Sequence, residues 1–546
     1  MHSGRGWSFA SLLVAALVLL PLIALGAAAL RGDASLWPHL LQHVLPPTLH
    51  QTALLLLGVG ALVIVVGTGS AWLVSAYDFR GRALLDWALL LPLAVPTYIV
   101  AYAYMDLLHP IGPLQSGLRA VLGIDSPRDL RLPDIRSLGG CIFVLGFVLY
   151  PYVYLTTRAL FLMQSATLIE AARTLGAGPR TVFVRVALPL ARPAVAVGAS
   201  LALMETINDI GASEFLGVRT LTISIYSTWV NRADLAGAAQ IALAMLAVVA
   251  ALLLIERRGR RSQRYNTAAQ RARPMTPTRL SGAAGVAAFA LGSVPVLLGF
   301  VAPALYLVER SIARLRFAGL PPSLLDATLN TVATAAAATV VIVALGVTVT
   351  YAARVAPGPL AQASARIAGL GYAVPGTVLA IGLLAPLGAF DRWAGDLIEG
   401  FVGGSIGLLT LGSGAALIYA YAARFLAVSA GGIESGFARI APSIDHAART
   451  LGETAGGVLR RVHLPMLRPA LAAAALLVFV DCMKELPATL LLRPLDFETL
   501  ATTLYGEAAR GTYEDGAVAA LIIVLAGLLP VLLLARVGRR AAETLP

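Results

Sequence analysis

Long apolar runs alternate along this chain with short polar breaks, and many of the breaks carry arginine. A hydrocarbon core of roughly 30 Å is crossed by a helix of about twenty apolar residues. Runs of that length fall at about 8–30, 52–77, 84–108, 138–162, 193–213 and 235–255. A basic, polar stretch from Glu256 to Arg279 follows. Six more runs then lie at about 280–308, 328–353, 367–390, 404–429, 469–492 and 516–535. The pattern predicts an all-α integral membrane protein of about 12 transmembrane helices. Residues 1–256 form a first six-span domain, 257–279 a basic linker and 280–546 a second six-span domain. Arg5 followed by an apolar run ending in Ala27, Ala28 and Ala29 also fits a cleaved signal. The length of that run, and the six-plus-six symmetry, predict a retained helix instead.

Composition agrees: 58% of residues are hydrophobic, 13% are charged and the mean hydropathy is +0.80. In a soluble protein a net charge of +12 would suggest nucleic acid. Here the arginines cluster beside apolar runs, as the positive-inside rule requires, so the charge reads as orientation and no nucleic-acid partner is expected. With a cytoplasmic N-terminus, Arg80 and Arg82, the run Arg257, Arg258, Arg260, Arg261 and Arg264, and the tail Arg536, Arg539 and Arg540 all fall on the cytoplasmic side. Both termini are then cytoplasmic, and the acidic segment from Leu492 to Gly516 falls outside. The two cysteines, Cys141 and Cys482, both sit in apolar runs, which predicts neither a disulfide nor a zinc site.

Near the end of each half the same phrase is written: AARTLG, eleven residues, then LPxxRPA, at Ala171 to Ala194 and again at Ala447 to Ala470. The offset is 276 residues throughout. Ala94-Val95-Pro96 and Thr52 recur as Ala373-Val374-Pro375 and Thr331, 279 residues on. An even number of spans per half makes the repeat parallel, with a pseudo-two-fold axis along the membrane normal and a pathway between the halves. Within the phrase, Glu170 to Leu175 favours helix and Gly176 to Gly178 breaks it. Pro179 opens a second short helix, expected to end before Pro189. Two alanines admit close approach by another protein's groove, while Arg173, Arg180 and Arg185 keep the element out of the bilayer. Two copies in register favour a mechanical coupling over an ordinary polar loop.

These residues resemble the EAA loop of binding-protein-dependent ABC importer permeases, in which Glu-Ala-Ala, a Gly six residues after the Glu, and a later Leu-Pro dock onto an ATPase. The matching positions are Glu170, Ala171, Ala172, Gly176, Leu188 and Pro189, then Ala447, Ala448, Gly452, Leu464 and Pro465. His446, preceded by Asp445, stands where the second glutamate belongs, which puts any ion pair to the ATPase in doubt there. The resemblance covers essentially the whole chain as two fused permease domains, and it implies the type I ABC importer permease fold in a bacterial inner membrane. It further implies two ATP-binding subunits at the cytoplasmic loops and a periplasmic substrate-binding protein at the outer loops, His109 to Ser137 and Leu492 to Gly516. The chain itself has no P-loop: its single lysine, Lys484, stands between Met483 and Glu485. ATP and Mg are therefore expected in the partner, and no cofactor in this chain.

The run after each phrase carries ionisable and amide residues: Glu205, Asn208 and Asp209 in the first half, and Asp481, Lys484 and Glu485 at the same offset in the second. Spacings of three and four set each trio on one helical face. A charge at mid-bilayer costs at least about 2.5 kcal/mol, so such residues mark either a polar translocation path or a structural ion pair. Even with Asp481 paired to Lys484, one acid of that trio remains beside Glu205 and Asp209, which favours a cation held by oxygen ligands. The stretch from Lys484 to Pro494, the following Thr499 to Thr502, and the segment Asn208 to Gln240 resemble ferric-iron importer permeases. From that resemblance alone comes ferric iron as the cargo. Thiamine, polyamine and an ion-coupled secondary transporter are the alternatives. Pro96 and Pro375 allow a helix bend, and His39, His43 and His50 fit no defined metal site.

Overall fold

The computed structural model describes residues 2–31, 36–163, 166–261, 277–402 and 407–543. Among them the chain is helical nearly throughout, and the only strands are Tyr77–Asp78 and Thr278–Arg279, paired in parallel. Eleven of the described helices are long and apolar enough to cross a bilayer, and one bent pair, counted as one span, brings the number to twelve. The linker positions 262–276, including Arg264, lie outside the described residues, as do the side chains of Arg260, Arg261, Arg536, Arg539 and Arg540.

The bent pair is the span expected at 84–108. Arg82–Ala94 and Thr97–Leu107 meet at 92°, with Pro96 at the corner in extended backbone (ψ 146°). Proline has no N–H to continue a helical ladder, so the break falls there. The second repeat breaks at the equivalent place. Pro359–Leu370 is followed by a short turn, Gly371–Ala373, an extended Val374, and a helix that starts at Gly376. The span expected from 367 therefore begins nine residues later than read, because Pro375 restarts the helix.

A second correction concerns the phrase itself. The short helix Pro179–Val182 does not end before Pro189; it runs through a wide turn, Phe183–Ala187, into Leu188–Asn208. The same sequence of elements is Ala455–Val458, Leu459–His463 and Leu464–Met483. In each wide turn bonding shifts to five residues back, from the Leu188 N–H to the Phe183 carbonyl and from the Leu464 N–H to the Leu459 carbonyl. That shift loosens the ladder just where the proline ring would collide with the carbonyl four residues earlier.

Packing gathers the chain into two compact units that are not the two sequence halves. One holds the leading helix His2–Arg31, residues 224–246, and the spans from Leu324–Val355 to Leu464–Met483. The other holds Leu45–Ala76 through Leu188–Asn208, the Gly282–Ala318 span and Tyr513–Glu543. Each repeat's leading span thus packs in the unit built mainly from the other repeat. Small residues seat both exchanged helices. A Cβ on Gly382 would lie 2.2 Å from the Pro21 carbonyl oxygen, and one on Gly299 would lie 2.2 Å from that of Phe147. Equivalent hydrogen bonds recur in the two units. The Leu221 N–H donates to Thr52 Oγ1 (3.2 Å), and the Leu500 N–H to Thr331 Oγ1 (2.8 Å). Each bond caps the first turn of a helix, Leu221–Arg232 or Leu500–Arg510.

Candidate functional site

The duplicated phrases form two knobs of one design. Helix Ala166–Thr174 ends at Gly176 (φ +83°), and helix Pro442–Thr450 ends at Gly452 (φ +89°). In both, backbone bonds close the end: Ala177 N–H to the Ala172 carbonyl (3.0 Å) and Glu453 N–H to the Ala448 carbonyl (3.1 Å). Such a left-handed cap falls to glycine, which has no Cβ to strain. Glu170, Ala171 and Gly176 are exposed and Ala172 half-buried; His446, Ala447 and Gly452 are exposed and Ala448 buried. Leu188, Pro189 and Leu464 are half-buried at the starts of their long helices, and Pro465 is exposed. Sequence reading missed Leu175 and Leu451, which are 87% and 85% exposed at the tips of the two knobs. Their recurrence inside AARTLG was the available signal.

The knobs differ in how they are held. Asp445, one residue before His446, points into its unit. It accepts hydrogen bonds from Arg354 Nε (2.7 Å) and Nη2 (3.2 Å), and its Oδ1 lies 2.6 Å from His463 Nε2. Arg354 also donates to the carbonyls of Phe437 (2.9 Å) and Ile440 (3.0 Å). Burial pushes the Asp445 pKa up, but the hydrogen bonds and charges of Arg354 and His463 outweigh it and hold the carboxyl below the ordinary range. The first knob has Ile169 at the equivalent position, so this tether has no counterpart there.

The two trios meet different fates. Asp209 is buried just past the end of Leu188–Asn208. It accepts from Thr97 Oγ1 (2.6 Å), the Ser213 N–H (2.8 Å) and Ser213 Oγ (3.1 Å). Glu485, 276 residues on, accepts from the Ala488 N–H (2.9 Å), the Thr489 N–H (3.0 Å) and Thr489 Oγ1 (2.7 Å). Both carboxylates therefore cap the first turn of the short helix that follows, Gly211–Phe215 or Pro487–Leu492. Glu485 also pairs with Arg424 at 2.9 Å, with side chains 1% and 8% exposed. Asp481 pairs with Lys484 at 2.8 Å, both partly exposed. Glu205 is half-buried and Asn208 buried. The expectation of an unneutralised acid in the second trio fails: both of its acids carry basic partners. Arg424 was the missed residue, and its signal was an arginine in the middle of an apolar run.

Eleven to twelve apolar spans among the described residues, with matching breaks at Pro96 and Pro375, are those of a multi-pass membrane protein, and similarity places it among the permeases of ATP-driven importers. The chain belongs to the binding-protein-dependent transport system inner membrane components, with residues 63–264 matching that family. It is 25% identical over 491 residues to the Fe(3+)-transport system permease protein FbpB 2 of Haemophilus influenzae, covering 89% of both chains. It is 30% identical over 215 residues to the molybdenum transport system permease protein ModB of Escherichia coli, covering 38% of this chain and 90% of that protein. A probable sulfate transport system permease, cysT of Nephroselmis olivacea, is 31% identical over 160 residues, 29% of this chain and 51% of that one. The family's partners are a substrate-binding protein and ATPase subunits, and its place is the inner membrane.

Proposed function

We propose that this chain is the whole membrane body of an importer that carries ferric iron inward, with ATP and Mg bound by two partner subunits seated under the two knobs. The carrying observation is length. The ferric-iron relative matches across both repeats, whereas the molybdenum and sulfate relatives match only about a third of the chain. On this reading both termini are cytoplasmic and the knobs face the cytoplasm. Glu170, Ala171, Ala172, Gly176 and Leu175 form one docking surface; His446, Ala447, Ala448, Gly452 and Leu451 form the other. Leu188, Pro189, Leu464 and Pro465 lead from each knob into a membrane helix, so closure of the ATPase pair rotates that helix and switches the path from inward-open to outward-open.

Oxyanion import is the second reading. Local identity to the molybdenum permease favours it, and so does the pairing of both acids in the second trio, which removes part of the electrostatic case for a cation. The test is uptake by the purified complex in proteoliposomes, with radiolabelled iron, molybdate, thiamine and polyamine compared. ATP-dependent iron uptake that needs the second subunit is expected. Molybdate uptake in its place would overturn the cargo, and uptake driven by an ion gradient alone would overturn the class.

A further inference from the structure

The Pro113–Leu122 helix is amphipathic in the reverse sense to a helix lying on a water-covered loop. Its two long polar side chains point inward, Gln115 at 1% and Arg119 at 6% exposure. Gln115 donates to the Leu108 carbonyl (2.7 Å) and accepts from the Leu132 N–H (3.1 Å). Arg119 donates to the Pro110 carbonyl (2.8 Å) and to Ser116 Oγ (3.0 Å). The apolar residues Leu114, Leu118, Val121 and Leu122 face out, as does Ile111 just ahead of the helix. A helix surrounded by water would expose the arginine and bury the leucines.

The height of this helix follows from its neighbours in the same unit. The Thr97–Leu107 helix is pinned near its end to Ala302–Ala318, with Asp106 accepting from Tyr306 Oη (2.6 Å) and Arg310 Nη2 (2.8 Å). Beyond Arg310 the latter helix still presents exposed Ile312 and Leu315, which continue a stripe begun by Leu305 and Val308, flanked by the exposed Glu309 and Arg316. At 1.5 Å per residue that apolar stripe reaches about 7 Å past the level of Asp106. The chain reverses tightly after Leu107, where a Cβ on Gly112 would lie 2.1 Å from the Asp106 carbonyl oxygen. Pro113–Leu122 is thereby held at the depth of the remaining stripe. The Leu138–Met163 span lies between it and the first knob, which sets it at the opposite membrane face.

We infer that Pro113–Leu122 lies along the bilayer interface on the face opposite the knobs, with Leu114, Leu118, Val121 and Leu122 among the acyl chains of that leaflet. Nitroxide labelling of the full chain in phosphatidylcholine–phosphatidylglycerol nanodiscs tests it. Native Cys141 and Cys482 are buried, so Val121→Cys and Leu118→Cys label selectively. Leu291→Cys on an apolar span and Asp129→Cys in the following loop serve as lipid and water references. At both test positions dissolved oxygen should relax the label more than a water-soluble nickel chelate does, as at Leu291. Relaxation dominated by the chelate, as at Asp129, would overturn the inference. Protection from both reagents would also overturn it, since the face would then be covered by protein.

Discussion

Asp209 and Glu485 hold the same position in the two repeats and the same backbone task, yet neutral donors surround one and a guanidinium meets the other. Thr97 supplies a neutral hydroxyl to Asp209. The residue 279 positions later is Gly376, and the room left by its missing side chain is filled by Arg424: a Cβ there would lie 2.7 Å from Arg424 Nη1 and 2.8 Å from Glu485 Oε1. One pocket is thus a carboxylate among neutral donors, the other a closed ion pair. The knobs diverge in the same manner, with identical glycine-capped turns but only the second anchored inward through Asp445. Duplication has kept the backbone geometry that caps and breaks helices, while the side chains that decide local charge have been free to change.

The largest effect is expected where that difference is a buried charge. Arg424→Leu leaves the Glu485 carboxylate buried without its cation, at a cost of about 3–5 kcal/mol. The purified protein should show a markedly lower thermal midpoint. Arg424→Leu combined with Glu485→Leu should recover part of the loss, because no orphaned charge remains. An unchanged midpoint in the single variant would show that the pair contributes nothing.

Asp445→Asn comes next. A hydrogen-bonded charged group of this kind contributes about 1.5–3 kcal/mol. The Asp445 pKa is lowered in the fold, so its stabilisation is fully present above the unfolded value of about 3.9 and is lost as pH falls through the lower folded value. The midpoint gap between the native chain and the variant should stay flat from neutral pH down to mildly acidic pH and then close in acid. A gap that stays open in acid would show that the variant's loss does not come from the Asp445 charge. The matching substitution in the first knob, Ile169→Asn, removes no such tether, so no comparable acid-sensitive gap is expected there.

Gly176→Val and Gly452→Val place a β-branched residue at positive φ with open space around it, so the cost is conformational strain of about 1–2 kcal/mol. The knob should lose its shape while the spans stay folded. Copurification of the ATPase subunits should fail as the thermal midpoint of the membrane body hardly moves. Full copurification would remove both knobs from the coupling.

Span number and the glycine-ended knobs were legible because each is written in local pattern: apolar run length, glycine placement and a repeat at fixed offset. The two prolines, Pro96 and Pro375, showed where a bend was allowed, but not that Pro375 restarts a helix. The exchange of leading helices was not legible, since Pro21 against Gly382 is a contact between residues more than 350 positions apart, and nothing in either run signals its partner. The fate of the trios was legible only in part. Asp481 with Lys484 follows from a three-residue spacing, but Glu485, in the break after Met483, pairs with Arg424 61 positions earlier. Offset arithmetic showed which residues are equivalent and could not show which neighbour each would meet.

The smallest expected effect sharpens the comparison most. Thr97→Val keeps the volume of the side chain and removes one donor from Asp209, which retains the Ser213 N–H and hydroxyl. A loss of about 1 kcal/mol is expected, well below that of Arg424→Leu, because the Ser213 N–H and hydroxyl still donate to the carboxylate. Thermal midpoints of the two variants, measured side by side, rank the pockets directly. If Thr97→Val proves as damaging as Arg424→Leu, Asp209 depends on its hydroxyl as strongly as Glu485 depends on its guanidinium, and the electrostatic difference between the repeats disappears. If Thr97→Val costs little and adding Ser213→Ala multiplies the loss, Asp209 is held by a shared set of neutral donors, which makes the first pocket the less rigidly fixed of the two.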